Sequence, residues 1–253
     1  GFSGDCCHSA MRAVLVPGNG ADNVRDANWY AWLEQRLKND GVFGEVVLQT
    51  MPDPHRARRS IWLPFILSTL QADAQTVVIG HSSGAVAAMR LLEDHKLHGA
   101  LLVSACHTDL GDASEAAAGY YPPSGGPWQW ERIKTNSGGN IMCARCKRPP
   151  PCRKAARASK RRAPPGCPPC APCLFLPRRR RAHSVLHSDN DPFIPLAEAK
   201  HVSDQLGPPC ELRVKPGASH FFEPDEMIVT AAHELARRPA WGHPSGSTST
   251  EGT

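Results

Sequence analysis

Thr76-Val-Val-Ile-Gly80-His81-Ser82-Ser83-Gly84-Ala85-Val-Ala-Ala-Met-Arg90 passes from a β-branched apolar run, through G-x-S-x-G, into a run of helix formers. The pattern predicts a strand, a tight turn and a helix, with Ser82 at the bend. A nucleophile held there needs neighbours two positions away with almost no side chain, and Gly80 and Gly84 supply them. A serine hydroxyl is a weak nucleophile near neutral pH and needs a histidine base oriented by a carboxylate. In this setting they follow in the order Ser, Asp, His. A glycine-rich strand end with two solvated serines has the same local sequence, so the partners must be sought downstream.

Working outward, Arg12-Ala-Val-Leu-Val-Pro17 reads as a short buried strand closed by Pro17-Gly18-Asn19-Gly20. This loop has two open readings: an ordinary strand-to-helix turn, or half of an oxyanion hole in which the Asn19 backbone NH joins that of Ser83. Asp26 to Lys38 carries Trp29, Trp32, Leu33 and Leu37 at helical spacing, with Asp26 as N-cap. Strands are expected at Glu45 to Gln49, Gly99 to Ser104, Ser184 to Ser188 and Glu211 to Lys215. Helices are expected at Arg58 to Ala72, with a kink or a nearby break at Pro64, at Leu196 to Leu206 and at Asp225 to Ala236. Strands alternating with helices predict an α/β fold: a three-layer αβα sandwich around a mostly parallel sheet.

In such sheets the ligand crevice lies beyond the carboxyl ends of the strands. Cys106 to Gly126 reads as a loop leading into Trp128 to Ile133, and together they form a candidate small lid. Tyr120, Trp128 and Trp130 are its candidate pocket residues, although two tryptophans on a short helix serve equally well as core. Asp191 leaves a strand end in a turn before Pro192, and His220 lies on the loop after the last strand, so both partners of Ser82 occur in the required order. Asp189, Asp109 and Asp112 compete with Asp191 as the orienting carboxylate. His81, His107 and His187 read as solvating or capping loops.

The chain of 253 residues fits one domain, placed at 11–238. Residues 1–10 lack periodicity and precede Met11, the expected native start. Residues 239–253 are expected to be a disordered tail. Thirteen of the 29 Lys and Arg lie in 142–183 with no acid, so the remaining 16 bases and 24 acids give the rest of the chain a formal −8. Nothing reads as a membrane span or secretory signal, and Cys106 and Cys210 are the only cysteines outside the first ten residues and the basic segment. A cytoplasmic protein with reduced thiols is expected.

These motifs, with Val16-Pro-Gly-Asn-Gly20, Met51-Pro-Asp-Pro54, Ser60-Ile-Trp-Leu-Pro64, Asp109-Leu-Gly-Asp112, Pro127-Trp-Gln-Trp130 and Asp191-Pro-Phe-Ile-Pro195, resemble the small α/β-hydrolases of the retinoblastoma-binding protein 9 type. The resemblance implies a cofactor-free serine hydrolase with a Rossmann-like sandwich, a triad of Ser82, Asp191 and His220, and small ester or peptide-like (aminoacyl) substrates. The retinoblastoma-binding motif L-x-C-x-E is replaced by Leu70-Gln-Ala-Asp-Ala74, so that partner is not expected. Residues 142–183 have no counterpart in the family.

That segment contains Cys143-x-x-Cys146 and Cys167-x-x-Cys170, a spacing that suits a four-cysteine zinc site. Against zinc stand nine prolines, long arginine runs and almost no apolar residue to pack on a metal, so a disordered insertion is expected and no metal is assigned. A basic tract can bind nucleic acid through phosphates, but nothing here offers base readout, so no specific nucleic-acid partner is expected. The competing function is a catalytically silent binding protein on the same fold. The intact Ser82, Asp191 and His220 favour the enzyme.

Overall fold

The structure, a computed structural model, describes residues 11–138, 185–208 and 210–238. The expected leader, the basic insertion with its cysteine pairs, and the tail lie outside the described residues. Six strands form one sheet: β1 (Arg12–Val16), β2 (Glu45–Leu48), β3 (Thr76–His81), β4 (Gly99–Val103), β5 (Val185–Ser188) and β6 (Leu212–Lys215). The order is β2-β1-β3-β4-β5-β6 and every pairing is parallel.

Strand side chains alternate between the two faces, and here they fill two separate cores. Val14, Val16, Val78, Ala100, Leu102 and Val185 join one cluster, while Ala13, Leu15, Val77, Ile79, Leu101, Val103 and Leu186 join the other. The first is covered by α2 (Arg59–Ser68), α3 (Ser83–Asp94), α5 (Trp130–Asn136) and α6 (Leu196–Leu206). The second is covered by α1 (Tyr30–Asn39) and α7 (Glu226–Ala236). Both faces of the central strands are therefore apolar, and the three-layer sandwich follows.

Two local expectations need correction. Helix α1 starts at Tyr30, not at Asp26, because Asn28 adopts φ 46° and Asp26 is spent accepting from the side chain of Asn23. The segment read as a loop from Cys106 to Gly126 contains a short helix, α4 (Ala113–Ala118), whose N-cap Asp112 accepts from the amides of Ser114 and Glu115. Asp112-x-x-Glu115 resembles a capping box and signals that start.

The strand order reverses between β1 and β3: the chain moves from β1 outward to β2, then back across to β3. A crevice opens at the carboxyl ends of such a pair. The loop after β1 carries Gly18 and Asn19, and the turn after β3 carries Ser82.

Candidate active site

Ser82 sits between β3 and α3 with φ 52° and ψ −119°, a backbone conformation that L-residues rarely adopt. The two glycines make the bend geometrically feasible. A Cβ on Gly80 would overlap the Gly84 carbonyl, and one on Gly84 would overlap the Val16 carbonyl at the end of β1. Helix and strands thus approach closer than any side chain allows, as the G-x-S-x-G spacing predicts. Ser82 is further fixed by its amide, which donates to the Val103 carbonyl at 2.9 Å.

A cleft of about 560 Å³ opens over this turn, lined by Gly18, Asn19, Ser82, Ser83 and His220 among others. The Nδ1 of His220 lies 2.8 Å from Oδ2 of Asp191, whose side chain is fully buried. The other oxygen, Oδ1, accepts from the amides of Phe193 and Ile194, each at 3.0 Å. Burial pushes the Asp191 carboxyl up, but the His220 hydrogen bond and these amides outweigh it and hold the group below the usual aspartate value. A carboxylate so held keeps a proton on His220 Nδ1 and leaves Nε2 as the basic nitrogen.

The rival carboxylates have other partners. The side chains of Ser188, Asp189 and Asn190 each accept one amide of the loop before His220: Ala218 at 2.9 Å, Gly217 at 2.9 Å and Ser219 at 2.8 Å. Asp189 is thus a clasp between loops. Asp112 caps α4, and Asp109 accepts from Gly111 two residues on.

Ser83 and Asn19 both line the cleft, and no hydrogen bond runs from either backbone NH to another backbone group among the described residues. Cys106 also lines the cleft, but burial pushes its thiol up to about 12, which keeps it protonated and poorly nucleophilic. Among the described residues no group of three or more His, Cys, Asp or Glu is placed to hold a metal ion, and no helix is long and apolar enough to cross a membrane.

Tyr120, Trp128 and Trp130 are not among the cleft residues. Arg90 explains two of them. This fully buried arginine on α3 pairs with Glu93 at 2.7 Å, donates to the carbonyls of Tyr120 and Gly126, and lies 3.7 Å above the Trp128 ring. Trp128 stacks in turn on Trp130, so Trp128 covers the guanidinium, Trp130 backs Trp128, and neither lines the cleft. The walls come from Leu110, Glu115, Tyr121, Phe193 and Phe222. Phe193 and Phe222, each two residues from a predicted site residue, were the available signal.

The serine hydrolase family profile matches residues 13–129. The chain is 48% identical to the rat (Rattus norvegicus) serine hydrolase RBBP9 over 128 residues, which span 51% of this chain and 67% of that protein. The chain belongs to the RBBP9-type serine hydrolase family. YdeN of Bacillus subtilis is 36% identical over 99 residues, covering 37% of this chain and 50% of its own length. The solved structure of the B. subtilis ydeN product superposes with a TM-score of 0.60 at 19% identity, over 88% of this chain and 98% of its own. Est1E from Butyrivibrio proteoclasticus gives 0.51 at 13% identity, over 88% of this chain and 85% of its own. At those identities the likeness is one of fold, and the fold is the α/β-hydrolase fold. Ser82 lies inside the profile's span in this RBBP9-type chain, while Asp191 and His220 lie beyond it.

Proposed function

We propose that this serine hydrolase cleaves small ester or peptide-like (aminoacyl) substrates through an acyl-enzyme, with Ser82 as nucleophile, His220 as general base and Asp191 as the group that orients it. The observation that carries the reading is the Asp191–His220 hydrogen bond at 2.8 Å on the same cleft as a serine held at a strained strand-to-helix turn.

In the proposed reaction, Ser82 Oγ attacks the carbonyl carbon as its proton passes to His220 Nε2. The negative charge that develops on the carbonyl oxygen is met by the amides of Ser83 and Asn19. His220 returns the proton to the leaving oxygen or nitrogen as the scissile bond breaks. Water, deprotonated by the same nitrogen, then releases the acyl group and regenerates Ser82. Each step draws only on the chain's own groups, the substrate and water, so the proposal includes no cofactor and no metal.

The cleft's size supports a small-molecule substrate. Among the described residues its ionisable lining consists of Asp112, Glu115, Cys106, Tyr121 and two histidines, with no Lys or Arg, which favours a neutral or cationic substrate over an anionic one. Exposed Phe193 and Phe222 at its rim offer apolar contact. Leu70, the first residue of the segment that replaces L-x-C-x-E, is fully buried, which supports leaving a retinoblastoma-type partner out of the proposal.

A fluorophosphonate probe tests the reading. The wild-type chain should be labelled and should hydrolyse p-nitrophenyl acetate. Ser82→Ala should lose labelling and His220→Ala should lose turnover, by roughly 10⁴-fold or more. Labelling that persists in Ser82→Ala would remove Ser82 as nucleophile, and undiminished turnover in His220→Ala would remove His220 as base.

A further inference from the structure

His81 is fully buried between β3 and the turn at Ser82, yet both of its ring nitrogens are engaged, one toward each side of the cleft. Nδ1 lies 2.7 Å from the Tyr30 hydroxyl, and Nε2 lies 2.9 Å from the His220 carbonyl oxygen. Of the two readings open for His81, solvating or capping a loop, burial excludes the first, and the bond to the His220 carbonyl fits the second. An apolar side chain would fill this space without the desolvation that an imidazole incurs, so the two bonds call for an explanation.

The proton positions follow from counting. A tyrosine hydroxyl has one proton and two lone pairs. Tyr30 Oη accepts from the Gly18 amide at 2.9 Å and from Asn28 Nδ2 at 3.1 Å, which uses both lone pairs. Its single proton must therefore point at His81 Nδ1. That nitrogen is an acceptor, so the neutral ring carries its hydrogen on Nε2 and donates it to the His220 carbonyl. A protonated ring would aim an N–H at an oxygen with no lone pair left. Burial, with His220 close by, holds the His81 pKa down to about 3, in keeping with a neutral ring.

The bonds form one line across the floor of the cleft: Gly18 amide to Tyr30, Tyr30 to His81, His81 to the His220 carbonyl. At one end is the loop that offers the Asn19 amide. At the other is the backbone of the proposed base, flanked by Ser219 at φ 52° and Phe221 at φ 51°. A loop with left-handed residues on both sides of one position does not hold that shape unaided. Trp29 Nε1, next to Tyr30, adds a tie at 2.6 Å to the Phe221 carbonyl, beside the Ser188, Asp189 and Asn190 side chains that hold the amides of 217–219.

We infer that Tyr30 and His81 are positioning residues that set the spacing between the oxyanion-side loop and the His220 loop through a single directed hydrogen-bond line. The inference rests on the Ser82–His220 reading above. It gives His81 a role that no proton transfer requires: its ring stays neutral and moves nothing, and its work is to hold the distance between two loops.

The test uses the full chain with p-nitrophenyl acetate as substrate and compares wild type, Tyr30→Phe, His81→Gln, His81→Leu and the Tyr30→Phe/His81→Leu double variant. Tyr30→Phe removes one oxygen and keeps the ring packing. His81→Gln keeps an N–H able to reach the His220 carbonyl, whereas His81→Leu keeps only bulk. The expected result is a kcat loss on the order of ten- to a hundredfold in Tyr30→Phe and His81→Leu, with KM changed less than about twofold. His81→Gln should recover part of the loss, and the double variant should be little worse than the worse single, because both substitutions cut one line.

Circular dichroism and melting temperature identify the folded variants, and Tyr30→Phe decides the matter if a His81 variant does not fold. Unchanged kcat in folded Tyr30→Phe, fully additive losses, or a lower melting temperature with intact kcat would each overturn the inference while leaving the triad in place. A wild-type chain that neither turns over ester nor takes the fluorophosphonate would instead overturn the reading on which it rests, and the inference with it.

Discussion

On the His220 wall of the cleft, bonds run between parts of the chain far apart in sequence. Ser188, Asp189 and Asn190 each hold an amide of the loop 217–219, and Trp29 and His81 hold the carbonyls of Phe221 and His220. The opposite wall, from Asp109 to Glu115, is held mostly by bonds to near neighbours, such as Asp109 to Gly111 and Asp112 to Ser114. Its firm ties are at its ends. Glu198 accepts from the amides of His107 and Thr108, and Arg90 holds the carbonyls of Tyr120 and Gly126. The wall that carries the proposed base is pinned along its length, which suits the sub-ångström placement such a role requires. The wall from Asp109 to Glu115 has fewer such long-range ties: beyond its ends, Asn19 and Tyr121 donate to the Glu115 carboxylate.

The sharpest way to break this contrast is to exchange the roles of two aspartates on the rigid wall. Asp191→Asn is expected to lower kcat by about 10⁴-fold, because an amide neither stabilises the imidazolium nor fixes its tautomer. Asp189→Asn keeps an oxygen for the Gly217 amide and should cost less than about tenfold. Steady-state kinetics of both variants measure the difference, and the reverse ranking would make Asp189 the orienting group.

A smaller effect is expected at the pins of the other wall. Arg90→Met leaves Glu93 buried without its closest cation and the carbonyls of Tyr120 and Gly126 without donors, so about 3–5 kcal/mol of stability should be lost, read from a urea titration. The loss should appear as a lower midpoint. A midpoint within error of wild type would show that this wall does not depend on Arg90.

Acid offers a milder probe of the second pin. Burial raises the Glu198 carboxyl, but hydrogen bonds from His107 and Thr108 outweigh it and bring the pKa to about 2 in the folded state. A carboxyl depressed on folding stabilises the protein above its unfolded value near 4.3 and loses that contribution as pH falls toward the folded value. Between about pH 4.5 and 2, Glu198 should therefore account for on the order of 2–3 kcal/mol of acid destabilisation. Glu198→Gln should be less stable than wild type near neutral pH and should show a shallower loss over that window in pH-resolved melting. Parallel curves for the two proteins would remove Glu198 from the account.

The same contrast explains what the sequence made legible. Ser82, Gly80 and Gly84 obey a rule that spans five residues, so their spacing alone predicts the bend, and Asp191 and His220 are marked by their place after strands. Tyr120 and Trp128 could not be read in this way. Their environment is set by Arg90, a charged residue on the buried face of α3, and its carbonyl partners lie 30 and 36 residues away. No local period reveals that a guanidinium will claim the aromatics of a distant loop. His81 escaped for a related reason, since its bond to His220 joins residues 139 apart. Helix α4 was missed although its start was marked, because six residues are too few for a 3.6-residue period to stand out.

The register of the sheet carries one more consequence. Among the described residues, Leu102 and Val103 of β4 face Val185 and Leu186 of β5, the Ser104 amide donates to the Leu186 carbonyl, and four residues of β5 face β6. The seam between β4 and β5 also separates the residues of the cleft, with Gly18 and Ser82 on one side and Asp191 and His220 on the other. If the sheet opens there before it opens elsewhere, amide protection of β5 and β6 falls together while β1, β3 and β4 stay closed. Hydrolysis would then stop with most of the fold intact, and the enzyme's own turnover would report the docking of its last two strands.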